Sequence, residues 1–159
     1  MTPTELQRII RETVQAEGFS RHGKGWILLG TDAAWLLALD TRHSHRYSIE
    51  VGIDLYPLSG TVRPKSINFC HILTGLEQMK SATGVGTYEV RQAFSLDFDM
   101  DDESRHMEVR RILTALTDYA HGHPDVNSLR QSHAAGELRP SIMLREARTI
   151  LEGPLRGNE

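Results

Sequence analysis

The chain has 159 residues, a formal net charge of −3, 39% hydrophobic residues and 25% charged residues. That length favours one domain, and at that size a chain buries roughly two-thirds of its unfolded surface without a disulfide or metal staple. The slightly acidic total argues against a nucleic-acid binder that relies on a basic surface, and no apolar run approaches the roughly 20 residues that span a bilayer.

The first element is a helix. Thr2-Pro3-Thr4-Glu5 supplies a cap, a proline at the first helical position and an acid three residues after the cap. Leu6, Ile9, Ile10 and Val14 share one face, Gly18 stops the helix, and Phe19 folds back on its last turn. Gly25 to Leu29 reads as a strand, and Gly30-Thr31-Asp32 as a turn. Ala34 to Asp40 reads as a strand apolar on both faces, which predicts cover on each side. His43-Ser44-His45 is a tight connection to the next strand, Arg46 to Tyr56. There Tyr47, Ile49, Val51, Ile53 and Leu55 alternate with Arg46, Ser48, Glu50, Gly52 and Asp54. Strand side chains alternate faces, so the first set predicts a buried side and the second a wetter one. Three strands with short links make an antiparallel meander.

Pro57, Gly60 and Pro64 punctuate a loop. Ser66 to Leu73 fits either a strand or the start of a helix through Met79. Lys80 to Gly86 reads as a surface loop, and Thr87 to Phe98 as an extended segment with alternating apolar residues. Asp101 or Asp102 caps a long helix whose apolar stripe is Val109, Ile112, Leu113, Leu116 and Tyr119, ended by Gly122 and Pro124. Arg105 reads as lying largely off that stripe. A short helix follows from Pro124 to Leu129, and a last one opens at Pro140 with Ile142 and Met143 inward, stopping at Gly153-Pro154. The sequence thus predicts one α+β domain over residues 1–155 with a frayed tail at 156–159. Its antiparallel sheet has about 4–5 strands, with the N- and C-terminal helices mainly on one face.

The single cysteine, Cys70, sits between Phe69 and His71 in an apolar run and reads as a buried thiol. It fits a reducing cytoplasm. Met1 to Arg11 carries polar residues throughout, unlike a signal segment. The expectation is a cytoplasmic protein with no membrane or nucleic-acid partner.

The order of elements resembles the bacterial domain-of-unknown-function 4304 family over most of the chain. The resemblance rests on Gly18-Phe19 after the first helix, Trp26, Asp40, Tyr47 through Ile53, Cys70-His71 and His123-Pro124. Asp40 stands where that family tends to carry glutamine. Ile72 to Leu76 replaces an expected arginine-rich segment. The resemblance implies a fold and brings no activity with it.

Chemistry is sparse. Arg42-His43-Ser44-His45-Arg46 places two histidines two apart, as a metal arm does, and His71 or Glu50 would have to complete the set. Flanking arginines oppose a dication, and a polar hairpin tip is the plainer reading. Asp97 to Glu103 has acids at alternate positions, yet Asp102 stands where a calcium loop needs glycine. No nucleophile elbow or phosphate loop is present, and Gly23-Lys24-Gly25 and Gly84-Val85-Gly86 are turns. No metal or cofactor is expected. The wetter strand face remains. Arg42, His43, His45, Arg46, Ser48, Glu50 and Asp54 are the candidate binding residues, and the expected function is a non-enzymatic protein-binding module, toxin-neutralising or regulatory, with homo-oligomerisation compatible. The alternative is a small enzyme or a ligand- or metal-binding protein using the His43/His45 tip.

Overall fold

A computed structural model describes residues 1–153, so the expected tail at 156–159 lies outside the described residues. The first helix, α1 (Pro3–Ala16), starts as its sequence dictates. Thr2 Oγ1 accepts the Glu5 amide at 3.2 Å, and Glu5 Oε2 accepts the Thr2 amide at 2.7 Å. Gly18 takes a left-handed φ of 96°, and the Phe19 amide returns to the Val14 carbonyl at 3.3 Å.

A sheet follows, with strands in sequence order and every neighbour antiparallel: β1 (Ser20–His22), β2 (Gly25–Leu29), β3 (Ala33–His43), β4 (Arg46–Leu55), β5 (Ile72–Gly75) and β6 (Ile142–Met143). The meander and the α+β class agree with the sequence reading, with six strands in place of four or five. The added strands are the edge pieces. β1 has three residues and β6 two, too short to show a period of two.

The remaining helices are α2 (Tyr56–Ser59), α3 (Lys80–Thr83), α4 (Thr87–Phe94), α5 (Asp102–His121), α6 (Val126–Ala134) and α7 (Arg145–Leu151). Three expectations are overturned here. Thr87 to Phe98 is not extended: Val90, Ala93 and Phe94 are buried at helical spacing, and Glu89 Oε1 accepts the Gly86 amide at 3.4 Å, closing the first turn of α4. The supposed loop at Lys80 to Gly86 contains α3. The last helix does not open at Pro140. Ile142 and Met143 instead pair with Leu73 and Ile72, leaving Ile142 53% exposed, and α7 begins at Arg145. The ambiguous stretch resolves into a 3-10 turn at Ile67–Phe69, β5, and a second 3-10 turn at Leu76–Gln78.

One hydrophobic cluster joins the helices to one sheet face. It holds Leu6, Ile10 and Val14 of α1, Trp35, Leu37, Val51 and Ile53 of the sheet, Ile112, Leu113 and Leu116 of α5, Leu129 of α6 and Leu151 of α7. The opposite face carries a smaller cluster of Ile27, Ala34, Leu36, Ile67 and Cys70. Both-face burial of β3, expected from its unbroken apolar run, is therefore real. The cover on the second side is the 56–71 strap and not a helical layer.

Gly52 marks where the strap touches down. A Cβ there would lie 2.7 Å from both Cys70 Sγ and Ile67 Cγ1. Where the strap leaves β4, its Tyr56 amide donates to the Asp32 carbonyl at 3.0 Å, and the same turn between β2 and β3 docks on the α5–α6 corner. The Thr31 amide donates to the Pro124 carbonyl at 2.8 Å, Asp32 Oδ1 accepts the Val126 amide at 2.6 Å, and Trp35 Nε1 donates to the His123 carbonyl at 2.9 Å. No helix among the described residues is long and apolar enough to cross a membrane.

Gly52→Ala is expected to lower stability by about 2 kcal/mol in urea melts, because the strap must lift to admit one methyl group. Gly75→Ala, whose added carbon would meet nothing nearer than 3.7 Å, is expected to stay within about 0.5 kcal/mol. Equal losses from the two substitutions contradict the close approach of the strap.

Candidate functional site

The strand pair β3–β4 runs past the rest of the sheet. β2 pairs with β3 only as far as Leu37, and β5 with β4 only as far as Glu50, while β3 and β4 stay paired to Asp40–Ser48 and close at His43–Arg46 after a bulge. The free end is caught by the segment after α4. Arg46 bridges Ser95, and the Leu96 amide donates to the His45 carbonyl at 2.7 Å.

That segment is shaped from beneath by Arg105. Its side chain is 2% exposed, and its guanidinium donates to the carbonyls of Gln92 at 2.9 Å, Ala93 at 3.0 Å, Ser95 at 2.7 Å and Phe98 at 2.6 Å. A guanidinium carries five N–H donors in a fixed fork, so it can gather several carbonyls of a chain that is neither helix nor strand. The sequence reading set Arg105 off the apolar stripe. The signal was present: Arg105 precedes Val109 by four residues and Ile112 by seven, which places it on the buried face.

Between the hairpin, α4 and this segment lies a cleft of about 610 Å³. Tyr47 is buried at its base, and its hydroxyl accepts from Gln7 Nε2 at 3.4 Å. Phe98 forms one wall, braced edge-on by the exposed ring of Tyr88 at 5.8 Å between centroids. Two ion pairs line it: Arg46 Nε to Asp97 Oδ2 at 3.1 Å and Arg91 Nε to Glu77 Oε2 at 3.0 Å. A hollow of about 330 Å³ adjoins it, lined by Arg42, His43, Ser44 and His45 and sharing Arg46 and Asp97. Another of about 340 Å³, lined by Leu96, Asp99, Met100 and Asp102 among others, shares Asp97 and Phe98. The three hollows therefore adjoin one another at the hairpin end, with Asp97 common to all three.

Of the residues expected in the site, the structure brings Arg42, His43, His45 and Arg46 together at this end, all exposed. Arg42 donates to Asp40, and this contact holds the Asp40 carboxyl down at about 2. Glu50 lies 3.8 Å from Arg42 and, like Ser48, is half-buried further along the strand. Asp54 does not join them. It sits at the opposite end of β4 and is 1% exposed, so the wetter face is wet only over its first half. His71 is beside Asp54 and cannot complete a metal set with His43 and His45. Among the described residues no group of three or more His, Cys, Asp or Glu side chains is placed to hold a metal ion.

Asp54 is a structural anchor for the strap. Its Oδ2 accepts from Ser59 Oγ at 3.0 Å and from Arg63 Nη1, while the Arg63 guanidinium lies 3.6 Å over the Tyr56 ring. Its Oδ1 faces His71 Nδ1 at 3.4 Å, but that nitrogen already takes the Leu55 amide at 2.9 Å. The proton of the neutral ring is therefore on Nε2, and no hydrogen bond to Oδ1 forms. Cys70 lies in the same layer. Burial, with the Asp54 charge adding to it, pushes its thiol up to about 12.

Comparison of the chain with protein-family models, with curated proteins and with solved structures found no match.

Two outcomes are expected. Arg105→Met strands four carbonyls and should cost about 3 kcal/mol in urea melts; a loss below about 1 kcal/mol would show that the 92–98 segment holds itself. Cys70 should resist a thiol reagent at pH 8 in the folded protein and react at the rate of strap opening. Because its folded pKa is raised, the neutral thiol's contribution is full below the ordinary thiol value of about 8.5 and fades as pH rises from there through about 12. Labelling as fast as a free thiol contradicts the packing described.

Proposed function

We propose that this chain is a non-enzymatic protein-binding module of the bacterial cytoplasm, toxin-neutralising or regulatory in role, and that it engages its partner at the hairpin end of the sheet. The observation that carries this reading is that three hollows adjoin at Arg46, Asp97 and Phe98. They combine exposed aromatic and arginine side chains, the residue types that anchor protein interfaces, with a polar rim.

Catalysis is the weaker reading. The charged groups lining the cleft pair with each other, and among the described residues its lining includes no histidine or cysteine, while His43 and His45 in the adjoining hollow are exposed. A general base or nucleophile needs a neighbour that activates it, and none converges there. The buried Cys70 sits under the strap with its thiolate disfavoured.

Immobilised protein exposed to a lysate of the native host, with the neighbouring gene's product also tested directly, should retain a protein. Arg46→Glu with Phe98→Ala should abolish that retention. Phe69→Asp, on the strap and 71% exposed, should leave it intact. Retention lost only with the strap substitution would move the site to the outer face, and stoichiometric metal without any protein would favour a metal site at His43 and His45 instead.

A further inference from the structure

The groove at the hairpin end is graded in charge. At one end the side chain of Arg42 is 78% exposed while that of its partner Asp40 is only 11% exposed, so the surface presents the cation. Arg46, 74% exposed against 52% for Asp97, does the same, and His43 and His45 lie between them. At the other end the order is reversed. Asp99 is exposed, and Asp102, paired with the Met1 amino group at 2.6 Å, is 67% exposed against 5% for the Met1 side chain, so the surface presents the acid. Arg105 beneath is buried and donates to backbone carbonyls. In the middle are the Tyr47 base, the Phe98 wall and the Arg91–Glu77 pair.

Resting on the protein-binding reading above, we propose that the groove takes an extended polypeptide segment of the partner that is acidic at one end, carries an aromatic or large apolar residue in the middle and is basic at the other end. Three hollows that meet at Asp97 offer adjoining seats to successive side chains of one segment, more than a single compact ligand would fill. Exposed ion pairs contribute little to stability, so Arg46 and Asp97 can exchange each other for partner charges at little cost. The Arg46 pair exchanged towards a partner carboxylate releases Asp97 towards a partner cation, and the mixed sign of the segment follows from that exchange. Opposed charges set orientation and encounter rate, while the apolar residue entering beside Phe98 supplies desolvated contact area.

The test uses three fluorescently labelled peptides of equal length and equal phenylalanine content, read by anisotropy at low salt. One is acidic at one end and basic at the other, one is acidic at both ends, and one is basic at both ends. The mixed peptide should bind at least about tenfold more tightly than either of the others and weaken as salt is raised. Arg46→Glu should remove that preference, and Phe98→Ala should weaken the mixed peptide about tenfold. Arg110→Glu, the same charge change at an exposed position of α5, should leave binding unchanged. Single-sign peptides binding as tightly as the mixed one, or a preference that survives Arg46→Glu, overturns the charge pattern. If a partner protein is still retained through Arg46 and Phe98 in that case, the protein-binding reading stands without it. If neither peptide nor protein binds at this end, both fail. A labelled single-stranded oligonucleotide binding in place of all three peptides also overturns the proposal.

Discussion

The constraint on which the rest depends is the long β3–β4 ladder, paired without interruption from Ala33–Leu55 to Asp40–Ser48. Its middle is buried on both sides, and its end projects beyond the other strands. Burial on the helical side follows from Trp35, Leu37, Val51 and Ile53 meeting α1 and α5. Burial on the other side requires the chain after β4 to double back, and Gly52 is where that return comes closest. The projecting end is left with hydrogen-bonding backbone that the sheet cannot satisfy. The 95–98 segment satisfies part of it and in doing so forms the groove.

Two buried charges organise the two irregular segments. Arg105 gathers four carbonyls of the segment after α4, and Asp54 gathers Ser59 and Arg63 of the strap. Each sits on a regular element and holds down a stretch that has little regular structure of its own. Burying an ion is costly unless hydrogen bonds surround it. Arg105 meets that condition, whereas Asp54 meets it on one oxygen and leaves the other facing His71. The groove and the strap therefore lie at opposite ends of β4, each depending on a different buried group. Substitutions at one should be separable from the other.

The candidate residues divide along the same line. Arg42, His43, His45 and Arg46 cluster because a hairpin turn brings sequence neighbours together. Ser48 and Glu50 follow along the strand. Alternation alone groups Asp54 with them, and alternation fixes the face of a strand but not what covers it. Glu77, Arg91, Asp97 and Phe98 were missed because they reach the site from α4 and its flanks, through contacts between residues distant in the chain. The expected extended segment at Thr87 to Phe98 failed for a related reason: aromatic residues at even spacing mimic a strand, and only the burial of Val90, Ala93 and Phe94 together settles the helix.

The sequence by itself determined the strands β2, β3 and β4, the helices α1 and α5 with their caps, the antiparallel order and the double burial of β3. These depend on periodicity and on capping chemistry within a few residues, so local composition is enough to specify them. The tertiary structure alone decided that the second face of the sheet is closed by a strap, that Asp54 is an anchor and not a surface residue, that β1 and β6 exist as edges, and that three hollows join at the hairpin end. Each of those depends on which distant segments come to lie together. A strand's pattern shows that a face is apolar or small, but not which segment packs against it.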